Sequence, residues 1–184
     1  MIDGTFTICA LLYGDYADLA HRCLSSIKPL LKEEGVSLRI GANEISMTTE
    51  GGLRVLQVHN HVFANSKENI KKYPMMRRLF AWDTPEEITS EYVMWWDDDS
   101  YLDLEGICSH LEWFKFIKTF MTSYDMIGSK YWMNGLSVGQ RTWILDQPWY
   151  TGKEIKNHPE FITGGWWVIR TETLKKYNWP IPEL

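Results

Sequence analysis

Apolar and polar residues follow two different periods along this chain, and segments of the two kinds alternate. Short apolar runs that end at Gly, Asp or Asn predict buried strands, whereas apolar residues three or four positions apart predict helices with one buried side. The predicted strands cover residues 5–13, 36–42, 53–62, 92–96, 124–133 and 161–170. The predicted helices cover 16–31, 65–83, 104–122 and 171–177, and 134–159 is predicted to be a long loop. Strands that alternate with helices predict an α/β domain with a mostly parallel central sheet flanked by helices.

The segment 91–102, EYVMWWDDDSYL, places three aspartates directly after an apolar strand. Asp97, Asp98 and Asp99 repel one another if they are packed together, so a fold that sets them at a strand end is expected to supply a compensating cation. Their oxygens suit Mg²⁺ or Mn²⁺. Because alternate residues of an extended segment share a face, we predict Asp97 and Asp99 as the metal pair, with Asp98 on the other side. The alternative interpretation is a solvated acidic turn.

Two other strand ends carry candidate residues, because ligands of an open α/β sheet gather at the carboxyl ends of the strands. After the first strand, Leu12, Tyr13 and Asp15 are candidates for nucleotide binding. After the second strand, the Glu44 carboxylate could accept a hydrogen bond from uracil N3 or from a ribose hydroxyl. A solvated loop acid is the alternative for Glu44.

Composition narrows the class of protein. The length of 184 residues and the hydrophobic content of 45% indicate one globular domain over 1–184. The net charge of −5 provides no general attraction to nucleic acid or to anionic membranes. The three cysteines have no metal-ligand spacing, which favours reduced thiols and a cytoplasmic protein. No apolar run fits a signal peptide or a membrane span.

An apolar strand that runs into an Asp-rich turn resembles the DXD element of nucleotide-sugar glycosyltransferases with the GT-A fold, in particular the family 2 group. The resemblance extends by element order over residues 5–180 and implies a Rossmann-like GT-A domain. It also implies that the aspartates hold Mn²⁺ or Mg²⁺ against the diphosphate of a nucleoside diphosphate-sugar, with Asp97 and Asp98 on the donor. Family members have a basic helix before this strand, so Lys72, Arg77 or Arg78 is implied to face the diphosphate. A solvated basic helix face is the alternative.

The resemblance also assigns the later part of the chain. The segment FITGGWWVIR is similar to a Gly-Gly turn followed by an apolar strand, which implies that Gly164, Gly165 and Trp166 flank the donor sugar and the acceptor. Trp149 lies in the predicted loop, which we interpret as an acceptor-side loop or lid. Family 2 enzymes place their general base beyond the corresponding last helix, so we expect it beyond Leu184 and expect the chain to be a fragment. No residue is assigned as catalytic.

The predicted function is metal-dependent transfer of a hexosyl or pentosyl group from a nucleoside diphosphate-sugar to an acceptor hydroxyl, with inversion. The acceptor stays open among a glycan, a small molecule and a modified nucleobase, since Trp side chains stack on all three. Two other hypotheses fit the same acids and basic residues. One is a nucleotidyltransferase, and the other is a catalytically silent domain that binds a nucleotide or a sugar.

Overall fold

A six-stranded sheet organises the structure, a computed structural model that describes residues 4–14, 16–43, 45, 61–66, 70–130, 138–146 and 162–183. The strands are β1 (Phe6–Tyr13), β2 (Val36–Asn43), β3 (His61–Ser66), β4 (Tyr92–Asp97), β5 (Met126–Lys130) and β6 (Ile162–Arg170). The helices are α1 (Ala17–Ile27), α2 (Lys72–Phe80), α3 (His110–Phe120), α4 (Val138–Leu145) and α5 (Thr171–Lys176), and a 3₁₀-helix covers Lys28–Lys32.

The sheet has the order β3-β2-β1-β4-β6-β5, with parallel pairing from β3 to β4. Strand β6 runs antiparallel to both β4 and β5. The predicted α/β architecture with a mostly parallel central sheet is therefore confirmed.

Strand β4 is buried on both faces, which explains its unbroken apolar sequence. Met94 and Trp96 belong to the core on the face that carries α1 and α3, whereas Val93 and Trp95 belong to the core on the face that carries α2 and α5. At about 25 cal/mol per Å² of apolar surface, each fully buried Trp contributes at most about 4–6 kcal/mol. The alternation places the next residue, Asp97, on the α2 side of the sheet.

Two tryptophan pairs join β6 to β4, one on each face of the sheet. Trp95 stacks on Trp167 with ring centroids 6.0 Å apart, and Trp96 stacks on Trp166 with centroids 5.9 Å apart. Cross-strand aromatic pairs of this kind fix the register of neighbouring strands. Because β6 is antiparallel to β4, its first residues lie at the sheet end where β4 finishes.

Two predicted elements differ from the structure. The helix predicted over 104–122 begins only at His110, because Ser109 and Glu112 form a capping box in which each side chain accepts a hydrogen bond from the backbone of the other. The predicted loop over 134–159 contains helix α4, so the prediction was wrong for that part. The rest of 134–159 lies outside the described residues.

The third predicted strand, 53–62, lies almost entirely outside the described residues. Strand β3 begins at His61 and pairs with β2 up to the register Asn43 with Ser66. It therefore includes Asn65 and Ser66, which the sequence pattern assigned to the following basic segment. In the described ranges no helix has the length and apolarity needed to cross a membrane.

Gly128 provides a test of the packing between β5 and β6. A Cβ atom at this position would lie 2.5 Å from Ile162 Cγ2, 2.7 Å from the Trp166 carbonyl oxygen and 2.9 Å from Trp167 Cβ. We expect Gly128→Ala to lower the free energy of unfolding by roughly 1–3 kcal/mol in urea titrations, the usual cost of overpacking.

The matched control is Gly139→Ala in α4, where an added Cβ meets no atom within 4 Å. Since Ala favours helix more than Gly does, this variant should be as stable as the original or slightly more stable. Equal stability of the two variants would contradict the described contact between β5 and β6.

Candidate functional site

The carboxyl ends of β1 and β4 form the topological switch point of the sheet. From β1 the chain proceeds outward through β2 and β3, and it then returns to place β4 on the other side of β1. Connections that leave two adjacent parallel strands in opposite directions open a crevice between the strand ends, and ligands of open α/β sheets bind in that crevice. Tyr13 ends β1 and Asp97 ends β4, so these two candidate residues lie at the crevice.

Asp97 has a polar partner on each of its carboxylate oxygens. Lys72 Nζ donates to Asp97 Oδ2 at 2.8 Å, and Trp95 Nε1 donates to Asp97 Oδ1 at 2.8 Å. The side chains of Lys72 and Asp97 are 39% and 20% exposed, so water screens the ion pair only in part. The indole can reach the carboxylate because residues two apart in a strand lie on the same face.

Asp98 and Asp99 belong to a turn that follows β4, closed by a hydrogen bond from the Ser100 N–H to the Asp97 carbonyl oxygen at 3.0 Å. Asp98 Oδ2 accepts from the Tyr13 backbone N–H at 3.2 Å, which ties β4 to β1 across the crevice. Asp99 is exposed, and its Oδ1 accepts from Ser100 Oγ at 3.4 Å. Partial burial raises the pKa of Asp98, and the charges of Asp99 and Asp97 raise it further.

Asn43, at the end of β2, holds the segment that leads into α2. Its side-chain oxygen accepts from the Ile70 N–H at 3.2 Å, and its side-chain nitrogen donates to the Ile70 carbonyl oxygen. The Tyr13 hydroxyl donates to the same carbonyl oxygen at 3.2 Å. Asn43 is only 1% exposed, so this bidentate contact is protected from water. Together these contacts place Lys72, two residues after Ile70, beside Asp97.

Cys23 of α1 lies beneath the acidic turn, and its thiol donates to the Asp97 carbonyl oxygen at 3.6 Å. Burial raises the pKa of this thiol to about 12, and the negative charges of Asp98, Asp97 and Asp99 act in the same direction. The thiol is therefore protonated near neutral pH and is a poor nucleophile.

The three predicted basic residues are separated by the structure, and only Lys72 contacts the acids. Arg77 follows Lys72 by five residues, which in a helix is an advance of about 7.5 Å and a turn of about 140°. Arg77 therefore lies nearer the end of α2 than Lys72 does and points in a different direction from the helix axis. Its Nη1 donates to Asn178 Oδ1 at 2.9 Å and to the Pro180 carbonyl oxygen at 2.8 Å. Arg77 and Arg78 line a separate open cavity of about 590 Å³ together with Arg39. Arg77 and Arg78 therefore lie near the other end of α2, and their predicted role at the diphosphate stays a prediction.

The remaining predicted residues have different surroundings. Leu12 is 1% exposed and its side chain is part of the core, so only its backbone could contact a ligand. Gly164 and Gly165 lie within β6 and not in a turn, just before the residue that pairs with Trp96. The Trp166 ring is partly buried and is stacked on Trp96. It is also in edge contact with Trp113, with the ring centroids 5.3 Å apart.

Asp15, Glu44 and Trp149 lie outside the described residues, so their predicted roles stay predictions.

The acidic turn offers carboxylate oxygens, which are the ligands that divalent cations such as Mg²⁺ prefer. In the part of the chain that the structure describes, no three His, Cys, Asp or Glu residues form a group that could enclose a metal ion. Mg²⁺ typically takes one or two protein carboxylates and completes its shell with water and substrate phosphate oxygens. A crowded acidic turn in which one aspartate has a raised pKa fits this open kind of site, because a cation would relieve the repulsion.

Two residues of the site were not assigned from the sequence. Trp95 was predicted only as strand core, although its position two residues before Asp97 was a signal that the indole N–H could reach that carboxylate. Asn43 was not among the candidate residues. Its partner Ile70 is 27 residues away, and no local pattern predicts such a contact.

Comparison with known proteins identifies the fold. No protein-family model and no curated protein sequence matches the chain. The mannosyltransferase PcManGT from Pyrobaculum calidifontis, solved in complex with GDP-Man and Mn²⁺, is similar with a TM-score of 0.61 and 10% identity, over 96% of this chain and 47% of that one. TarS 1–349 from S. aureus is similar with a TM-score of 0.56 and 16% identity, over 97% of this chain and 50% of that one.

The 4-diphosphocytidyl-2C-methyl-D-erythritol synthase from Anaerococcus prevotii is also similar, with a TM-score of 0.54 and 11% identity, over 96% of this chain and 78% of that one. The chain spans about half the length of the first two structures. At these identities the similarity establishes the fold, which is GT-A-like as the sequence predicted.

The raised pKa of Asp98 predicts how the free energy of unfolding depends on pH. Because its pKa is raised in the folded protein, the charged form destabilises the fold, and that cost grows as pH rises from about 4, the pKa of an unfolded Asp, through the raised value. We expect Asp98→Asn to raise the free energy of unfolding at pH 7, with the gain fading toward pH 3. Chemical denaturation at a series of pH values measures this difference.

Glu105→Gln removes the same charge from an exposed position and serves as the control. Its free energy of unfolding should follow that of the original protein at every pH. An Asp98→Asn variant that is less stable at pH 7, or equally stabilised at pH 3 and pH 7, would contradict the electrostatic account.

Proposed function

We propose that this protein is a metal-dependent glycosyltransferase that moves a hexosyl or pentosyl group from a nucleoside diphosphate-sugar to an acceptor hydroxyl, with inversion at the anomeric carbon. The observation that carries the proposal is the arrangement of Asp97, Asp98 and Lys72 at the switch point of a GT-A-like sheet. A mannosyltransferase of the same fold has been solved with GDP-Man and Mn²⁺, which supports this class of donor and cofactor.

In this proposal the nucleotide lies in the crevice between β1 and β4. Asp97 and Asp99 are the residues that would hold Mn²⁺ or Mg²⁺, with Asp97 and Asp98 on the donor. The cation supplies positive charge that offsets the charge developing on the leaving diphosphate. Lys72 adds a second positive charge at the same place, and an ammonium binds phosphate as a point charge.

Trp166 and the two glycines before it are proposed to flank the donor sugar, since β6 begins at the sheet end that carries the acids. Gly lets a ligand approach the backbone closely. The acceptor is proposed to be a glycan, a small molecule or a modified nucleobase. We place the reaction in the cytoplasm, because the buried Cys9 and Cys23 are free thiols, as a reducing compartment favours.

The similarity to the diphosphocytidyl-methylerythritol synthase, which covers 78% of that chain, favours nucleotidyl transfer as the second candidate. The two reactions differ in the bond that breaks. Release of sugar with an intact nucleoside diphosphate supports glycosyl transfer, whereas release of pyrophosphate from a nucleoside triphosphate supports nucleotidyl transfer.

Donor binding tests the proposal without requiring an acceptor. We expect at least one nucleoside diphosphate among UDP, GDP, ADP, CDP and dTDP, or one of their sugars, to bind in calorimetric titrations with Mn²⁺, and binding to disappear with EDTA. An Asp97→Ala/Asp99→Ala variant should bind roughly tenfold or more weakly, the scale of one lost charge-assisted contact.

A Glu105→Ala/Glu172→Ala variant removes two exposed acids elsewhere and should bind as the original protein does. Circular dichroism checks that each variant is folded. If the original protein binds none of these nucleotides, or binds them equally with EDTA and after loss of the two aspartates, the proposed function is wrong.

A further inference from the structure

The ion pair between Lys72 and Asp97 affects how a cation can bind the acidic turn. Among the described residues, Lys72 is the one that forms an ion pair with an aspartate of the turn. Its Nζ lies 2.8 Å from Asp97 Oδ2. Since Trp95 occupies the other carboxylate oxygen, Asp97 has a hydrogen-bond donor on each oxygen in the free protein. A cation that binds Asp97 must therefore compete with the ammonium group.

The ammonium is held in place and still has access to solvent. The contacts of Asn43 with Ile70 fix the start of α2, and the Lys72 side chain is 39% exposed. Lys72 is also one of the residues that line an open cavity of about 440 Å³. Because a lysine side chain has several rotatable bonds, its ammonium group can change partner while the helix stays in place.

We infer that Lys72 is an exchangeable counter-cation, which neutralises Asp97 in the free protein and transfers to the donor diphosphate when a divalent cation binds the acidic turn. The inference rests on the proposed function for the identity of the diphosphate. No covalent bond changes in this exchange, and Asp97 has a cationic partner in both states. The free protein thus avoids an unpaired carboxylate at Asp97, which would be costly at a partly buried strand end.

The exchange predicts opposite effects of one substitution on two ligands. Lys72→Met removes a competitor of the metal, so Mn²⁺ alone should bind about two- to fivefold more tightly, the scale of a partly exposed ion pair. The same variant removes a phosphate partner, so UDP or GDP at saturating Mn²⁺ should bind roughly tenfold to a hundredfold more weakly. A general loss of structure would instead weaken both ligands.

The experiment measures free Mn²⁺ by electron paramagnetic resonance, and nucleotide binding by calorimetry, in the original protein, Lys72→Met and Lys71→Met. Lys71 is the adjacent exposed lysine, and its substitution makes the same charge change. We expect Lys71→Met to leave both affinities within about twofold, a difference well below the 1.4 kcal/mol that makes a factor of ten. Lys72→Arg keeps the charge and should restore the weaker Mn²⁺ affinity.

Opposite shifts in Lys72→Met alone support the exchange. The exchange is overturned if both affinities shift in the same direction, if neither affinity shifts, or if Lys71→Met gives equal shifts. That conclusion holds even where the original protein binds nucleotide and the proposed function stands. If the original protein binds Mn²⁺ but no nucleotide, the proposed function fails and the transfer to a diphosphate fails with it.

Discussion

Mutual repulsion among three adjacent carboxylates at the end of a buried strand is the constraint on which this site depends. Each of the three carboxylates is stabilised against this repulsion in a different way. Asp97 is neutralised by Lys72 and bonded to Trp95, Asp98 accepts a backbone N–H of β1, and Asp99 is exposed to water. Partial burial raises the pKa of Asp98, and the charges of Asp99 and Asp97 raise it further. A site in this condition favours an added cation, which connects its electrostatics to its proposed function.

The fold provides the rigidity that holds these charges together. Strand β4 is covered on both faces, and its two terminal tryptophans stack on partners from β6. The Asn43 contact with Ile70 extends this order to the start of α2, so that a flexible lysine begins from a fixed backbone position. Charged groups on such a framework are preorganised, and preorganised charges interact more strongly with a ligand than mobile ones do.

Much of this arrangement could be predicted from the sequence, because it follows from local patterns. The apolar run before Asp97 predicted the central strand, and the period of two predicted that Asp97 and Asp98 would lie on different sides. Lys72 of α2 contacts Asp97 on the side that this period predicts, whereas Asp98 lies in the turn after the strand and accepts from the Tyr13 backbone N–H. The order of strands and helices predicted the GT-A-like fold.

Other features depend on contacts between distant segments and were not predictable. The choice among Lys72, Arg77 and Arg78 depends on where α2 begins, and Asn43 sets that point through a contact with Ile70. The start of α3 is a different case, because the capping box of Ser109 and Glu112 is a local S-x-x-E signal that could have been recognised in the sequence.

The proposed function requires the carboxyl end of β4 to bind the diphosphate of a nucleotide through a divalent cation and Lys72. A crystal structure of the protein with Mn²⁺ and the tightest-binding nucleoside diphosphate tests it most directly. The account predicts an anomalous manganese peak bonded to carboxylates of the 97–99 turn, with Lys72 Nζ turned from Asp97 to a phosphate oxygen. Manganese and nucleotide bound elsewhere, for example in the arginine-lined cavity at the other end of α2, would contradict the account.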